Sequence, residues 1–159
     1  MQVSGMTDAF TVDFEDWFHR IEIESSDWGR FESRIQVGTS RLLDLLDEAQ
    51  TRATFFVLGA AAEAAQDLVR EIARRGHEIG THGYGHEFYN LTPETFRVDL
   101  ERSLEVLAGL VSGPILGYRA PYFSVTAESQ WAFDVLLESG IRYDSSVFPV
   151  RNYRALSRS

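Results

Sequence analysis

The sequence predicts an α/β protein built from parallel β/α units. Short apolar strands alternate with amphipathic helices, and polar or charged residues follow the strands. The 159 residues hold five such units, whereas a closed eight-stranded barrel usually needs roughly 250 residues. We therefore expect either an open sheet or part of a barrel, and we treat residues 1–159 as a single domain.

The elements can be placed in order along the chain. Thr92 followed by Pro93 marks a helix start, and Gly76 and Gly140 are expected to end two helices. Residues 17–38 are predicted to form an irregular, aromatic-rich loop that covers a site. The strands are predicted at 9–14, 53–58, 77–80, 114–119 and 141–143, and the helices at 40–50, 61–75, 93–110 and 127–138.

Composition narrows the classes of function. The net charge of −9 opposes nonspecific nucleic-acid binding, and all 15 basic residues are arginine. No window holds the roughly 18 apolar residues of a membrane span, and the N-terminus has no signal-peptide pattern, so we expect a cytoplasmic protein. Because the chain has no cysteine, any metal would be bound through nitrogen and oxygen.

Two histidines stand four residues apart in a glycine-rich stretch. His82 and His86 are accompanied by Gly80, Gly83 and Gly85, and this much glycine disfavours a helix. The stretch is predicted to be a loop after a short strand, with both imidazoles turned to one point. Taken alone, the spacing fits a metal site or two loop histidines without a shared role.

Polar residues at the other strand ends favour the metal site. In parallel β/α folds the loops after the strands form the site at one edge of the sheet. Two neutral imidazoles and a carboxylate would leave open positions on a catalytic metal such as zinc, and a second carboxylate could take a proton from water. The candidates are Asp13, Glu15 and Asp16 after strand one, Arg119, Pro121 and Tyr122 after strand four, and Asp144 and Ser145 after strand five.

The segments together resemble the NodB-type polysaccharide deacetylases of carbohydrate esterase family 4, in a branch whose first motif reads Val-Asp-x-Glu-Asp-Trp. The resemblance implies a distorted (β/α)7–8 barrel. It also implies metal-dependent removal of N-acetyl groups from an N-acetylhexosamine polysaccharide or glycoconjugate, with zinc as the expected metal and cobalt or nickel as alternatives. The matching motifs lie at residues 11–18, 52–59, 76–86, 117–121 and 143–146.

The resemblance also implies roles for individual residues. Asp13 resembles the general base, His82 and His86 the histidine ligands, and Arg119 the arginine that orients the base. Pro121 and Tyr122 resemble the groove wall, where a backbone N–H helps to stabilise the oxyanion. Asp144 is expected either to support Arg119 or to serve in a turn with Ser145 and Ser146. Trp17 is expected either to stack on a sugar or to pack in the core.

The carboxylate ligand has two candidates. The commonest family pattern has adjacent aspartates, whereas Phe14 follows Asp13 here. Glu15 shares a strand face with Asp13 if the strand continues, since side chains alternate along a strand. If the strand ends after Phe14, Asp16 can turn inward.

The general acid of the family, a late histidine, has no counterpart in this sequence. His19 and His77 are poor substitutes, and residues 151–159 show no apolar periodicity that would complete a barrel. We therefore expect the C-terminal part of the barrel to be missing, with metal binding and weak deacetylation. The alternatives are an allantoinase-like hydrolase of cyclic amides and a non-catalytic carbohydrate-binding domain; the oligomeric state stays open.

Overall fold

A parallel five-stranded sheet organises the computed structural model, which describes residues 8–147. The strand order follows the chain, and each strand pairs with the next in parallel. This confirms the predicted parallel β/α architecture. The predicted tail at 151–159 and the end of the domain lie outside the described residues. The strands are β1 (Thr11–Phe14), β2 (Thr54–Val57), β3 (Glu78–Thr81), β4 (Gly117–Tyr118) and β5 (Tyr143–Asp144).

Five α-helices connect and cover the strands. Within residues 8–147 none of them is long and apolar enough to cross a membrane. Thr92 caps the longest helix with its side chain, and Thr95 returns the bond to the Thr92 backbone, as the Thr-Pro start predicted. The helices are α1 (Ile35–Glu48), α2 (Gly59–Ala64), α3 (Gln66–Arg74), α4 (Pro93–Ala108) and α5 (Trp131–Glu138).

Three helix boundaries differ from the prediction. Helix α1 begins at Ile35, inside the stretch predicted to be loop, because its first N–H groups are bound by a carboxylate distant in sequence. The single helix predicted at 61–75 is two helices separated at Ala65, whose φ of −133° and ψ of 47° are not helical. The last helix begins at Trp131, after a short 3-10 turn at Ala127–Ser129.

The face of the sheet that packs against the helices is hydrophobic. Phe14, Phe55 and Val57 pack with residues of α1, α2 and α3 in one buried cluster, and Tyr118 packs with residues of α4 and α5 in a second. Because side chains alternate along a strand, neighbouring positions such as Asp13 face the opposite side. The helices therefore leave one face of the sheet for polar side chains.

The sheet is strongly curved. Arg119 follows β4, yet its guanidinium donates hydrogen bonds to Asp13 on β1 and to Ser145 just after β5. In a flat sheet β1 and β4 would be about 14 Å apart, three strand spacings. One side chain reaches both edges because the sheet is rolled like part of a barrel.

Candidate metal centre

Glu15, His82 and His86 meet at the carboxyl ends of β1 and β3. Each offers one ligand atom, and these atoms all lie within 4.8 Å of one another. Both histidines are buried and Glu15 is half-buried. The two imidazole rings are 5.2 Å apart between centroids. This is the only such group of metal-binding side chains within residues 8–147.

The ring of His82 is oriented by the backbone. Its Nδ1 donates to the carbonyl oxygen of Arg119 at 2.7 Å, since a carbonyl can only accept. Burial lowers the pKa of His82, so the ring is neutral and its Nε2 carries no proton. A second partner of this kind commonly fixes the tautomer of a metal-ligating histidine and leaves the other nitrogen for the metal.

Glu15 and His86 bring polar atoms that lack hydrogen-bond partners close to each other. Glu15 Oε2 lies 2.9 Å from His86 Nε2, but the two are not aligned as a hydrogen bond. Both atoms, and also His86 Nδ1, are buried without a hydrogen-bond partner in the described part of the chain. Burial alone would raise the pKa of Glu15, but its contact with His86 brings the pKa below its usual value.

These atoms fit a divalent cation. A buried polar atom without a hydrogen-bond partner lowers the stability of the fold. A bound metal would interact with the unpartnered lone pairs of Glu15 and His86. Two imidazole nitrogens and one carboxylate oxygen are a donor set typical of catalytic zinc. The residues present therefore match the metal that the sequence predicts.

Asp16 lies outside this group. Its carboxylate accepts hydrogen bonds from the backbone N–H of Arg34 at 3.0 Å, of Trp17 at 3.0 Å and of Ile35 at 3.4 Å. It therefore caps the start of α1 instead of turning toward the histidines. Of the two carboxylates left open by the sequence, Glu15 is the one beside His82 and His86.

Asp13 and Arg119 form an ion pair at the centre of the curved sheet. Arg119 Nη1 donates to Asp13 Oδ1 at 2.8 Å, and the arginine side chain is 8% exposed. The guanidinium carbon also lies 4.2 Å from the ring centre of Phe56. The pair is joined to His82 through Arg119, whose backbone carbonyl accepts the bond from His82 Nδ1.

Asp144 does not support the arginine directly. Its carboxylate accepts from the backbone N–H of Ser146 at 2.9 Å and from the Ser146 hydroxyl at 2.5 Å, which is the turn arrangement. The support for Arg119 comes instead from Thr11 Oγ1 at 3.0 Å and from Ser145 Oγ at 2.7 Å. Thr11 was missed in the sequence, although it shares a strand face with Asp13.

Of the residues predicted to contact the substrate, Tyr122 lies beside His86, whereas Trp17 packs within the aromatic-rich loop. The Tyr122 ring is 4.9 Å from the His86 ring, and its hydroxyl accepts from the Ile21 N–H at 2.7 Å. Pro121 is buried. Trp17 is 47% exposed, donates to the Glu32 carbonyl and packs edge-on against other aromatic rings of the 17–31 loop.

His19 and His77 are both bound through Nδ1. Nδ1 of His19 accepts from the Asp16 N–H, and burial lowers the pKa of His19 to about 4, so the ring is neutral at pH 7. His77 Nδ1 accepts from the Ala53 N–H at the start of β2, the opposite end of the sheet. His77 therefore lies away from the metal group.

The glycines around the histidines have separate structural roles. An alanine Cβ at Gly80 would lie 2.8 Å from the Phe56 ring, and one at Gly83, where φ is +76°, would lie 2.9 Å from Asp99. Gly85 donates its N–H to the same carboxylate. Asp99 was missed in the sequence; the available signal was an acid next to Phe96 and Leu100 on the inner side of α4.

Comparison with known proteins identifies relatives in sequence and in structure. The sequence model of the polysaccharide deacetylase family matches residues 28–141. A peptidoglycan deacetylase of Helicobacter pylori is 33% identical over 113 residues, covering 70% of this chain and 38% of the relative. A chitin deacetylase of Colletotrichum lindemuthianum is 37% identical over 98 residues, covering 58% and 40%. The chain thus spans about two fifths of these relatives' lengths.

A solved structure agrees with the fold. A crystal structure of a Mycobacterium smegmatis protein assigned to the polysaccharide deacetylases superposes with a TM-score of 0.75 at 34% identity, covering 87% of this chain and 50% of that one. A pseudoenzyme of carbohydrate esterase family 4 from Bacillus anthracis superposes with a TM-score of 0.68 at 15% identity, which supports the fold alone.

Proposed function

Because the chain belongs to the polysaccharide deacetylase family, we propose that it carries the metal site and the general base of a hydrolase acting on N-acetylated sugars. The observation that carries the proposal is the Glu15, His82 and His86 group, in which Glu15 Oε2 and both ring nitrogens of His86 are buried without a hydrogen-bond partner among residues 8–147. The Asp13–Arg119 pair is linked to this group by the bond from His82 Nδ1 to the Arg119 carbonyl, and it supplies a second carboxylate.

The proposed substrate is an N-acetylhexosamine unit of a polysaccharide or glycoconjugate. The relatives described as peptidoglycan and chitin deacetylases support this class, since both polymers contain N-acetylglucosamine. The bond broken is the C–N bond of the acetamide, and the products are acetate and an amino sugar. The polymer itself is left to the assay.

Glu15, His82 and His86 would hold the metal, with zinc favoured by the donor set. When bound, the metal acts as a Lewis acid that polarises the amide carbonyl and increases the acidity of water. His82 is held ready for this role by its bond to the Arg119 carbonyl.

Asp13 would take the proton from the attacking water. Arg119 binds one carboxylate oxygen, Oδ1, and thereby fixes the side chain while Oδ2 can accept a proton. Thr11 and Ser145 hold the guanidinium, so the base is supported from both edges of the sheet. The leaving amine also needs a proton, and His77, at the opposite end of the sheet, cannot give it.

The test is acetate release from N-acetylglucosamine oligomers by the full gene product, with and without added zinc or cobalt. We expect release that requires metal and falls at least 100-fold in Asp13→Asn, in keeping with the contribution of a general base. Arg142→Gln, an exposed arginine before β5, is the control and should keep wild-type activity. Metal-independent hydrolysis of a cyclic amide, or sugar binding without turnover, would contradict the proposal.

A further inference from the structure

His86 has an unusual backbone conformation, and its ring nitrogens lack hydrogen-bond partners among residues 8–147. Its φ is +62°, in the left-handed region that non-glycine residues rarely adopt. Unlike His82, it has no hydrogen-bond partner on either ring nitrogen within residues 8–147. A conformation of this kind persists only when the surrounding structure holds it in place. The position of this ring therefore depends on the backbone that precedes it as well as on its packing against the Tyr122 ring.

Asp99 on α4 holds that backbone. One carboxylate oxygen accepts from the Tyr84 N–H and the other from the Gly85 N–H, both at 2.8 Å. These are the two residues directly before His86. Gly83 lies against the same carboxylate, where only a residue without a side chain fits. A single half-buried acid thus fixes most of the turn between the two histidines.

The opposite side of the turn is held by helix α2. The Gly59 N–H donates to the Gly83 carbonyl at 2.8 Å, and the Ala60 N–H donates to the Tyr84 carbonyl at 3.3 Å. The N–H groups of Tyr84 and Gly85 are therefore bound by Asp99, and the carbonyls of Gly83 and Tyr84 are bound by α2. Removing either side would leave the left-handed His86 with half of its support.

We propose that Asp99 is a positioning residue that sets the His86 ring for metal binding by clamping the Tyr84–Gly85 backbone. It acts through the turn and does not itself touch the metal ligands' nitrogen atoms. The inference rests on the proposed metal site, and it assigns to α4 a role in the site that the sequence motifs do not include.

The test is cobalt binding to Asp99→Asn, Asp99→Glu and wild-type protein, measured by competition with a chelating dye and by the visible absorption of bound Co²⁺. Asparagine keeps one acceptor oxygen but turns an amide donor toward the second N–H. We expect roughly 10- to 100-fold weaker binding and a changed spectrum in Asp99→Asn, the range seen for outer partners of metal ligands. Asp99→Glu keeps both acceptor oxygens and should recover part of the affinity.

Two controls separate positioning from general destabilisation. Glu101→Gln changes an exposed acid on the same helix, and Leu107→Ala loosens the buried face of that helix near its end. Both should bind cobalt like the wild type while folded. The inference would be overturned if Asp99→Asn kept the wild-type cobalt affinity and spectrum. It would also be overturned if Leu107→Ala lost as much cobalt affinity at a matched melting temperature. Neither result would contradict the proposed function. Absence of cobalt binding by the wild type would overturn the proposed function as well.

Discussion

Glu15 and Asp16 are neighbours in sequence with opposite surroundings. Glu15 contacts the buried His86, whereas Asp16 is surrounded by the backbone N–H groups that open α1. Strand alternation pointed to Glu15, but the partner of Asp16 lies 18 residues away at Arg34. A contact of that range is set by the tertiary structure and leaves no mark on the local pattern.

Alanine substitutions should separate the two acids. Glu15→Ala removes a ligand oxygen, and we expect at least a tenfold loss of zinc affinity. Asp16→Ala should keep the affinity but lower the free energy of unfolding by about 1–3 kcal/mol, because buried N–H groups lose their acceptor. Competition titration with zinc and urea denaturation measure the two effects. A larger loss of affinity in Asp16→Ala would reverse the assignment.

The other site residues differ in how far the sequence alone predicted their place in the site. Asp13, His82, His86 and Arg119 could be placed together from the sequence, because the carboxyl ends of parallel strands share one edge of the sheet. Asp99 could not, since its partners are backbone N–H groups that look alike in every sequence. Side chains that bind backbone are the part of a site that residue patterns describe least.

At the scale of elements, strands and long helices follow the sequence pattern, and their ends follow tertiary contacts. The start of α1 depends on Asp16, and the local residue at its N-cap, Arg34, makes no side-chain cap. The interruption at Ala65 carries neither glycine nor proline, so composition does not signal it. Hydrophobic periodicity locates an element well, whereas its last residues depend on which distant groups bind its free N–H and carbonyl groups.

Gly80 on β3 lies close to residues of both neighbouring strands, β2 and β4. Gly80→Ala would place a Cβ 2.8 Å from the Phe56 ring and 3.1 Å from the Gly117 carbonyl oxygen. We expect a loss of about 1–3 kcal/mol in the free energy of unfolding, the usual cost of overpacking. Gly113→Ala is the matched control, since nothing lies within 4 Å of its Cβ position. Equal urea midpoints for the two variants would show that a methyl group at Gly80 is accommodated without strain.

At the scale of the whole molecule, one guanidinium links both edges of the sheet. A double-mutant cycle with Arg119→Met and Asp13→Asn should give a coupling free energy of about 1–3 kcal/mol, because this pair is mostly shielded from water. The exposed pair Arg97–Glu138 between α4 and α5 is the comparison and should give less than about 1 kcal/mol. Urea denaturation of the seven proteins measures both, and strictly additive effects at Arg119 and Asp13 would contradict the expectation.

The span of these contacts along the chain sets an order of folding. Arg119 and Asp13 are 106 residues apart, whereas Asp99 and its partners in the histidine turn are 14 and 15 residues apart. Closing a long loop costs more entropy and slows the contact that needs it. The histidine turn can therefore form early on its helix, while the base meets its arginine only after the sheet has rolled. We therefore expect the turn between the histidines to form before the Asp13–Arg119 pair, which makes that pair a late marker of folding.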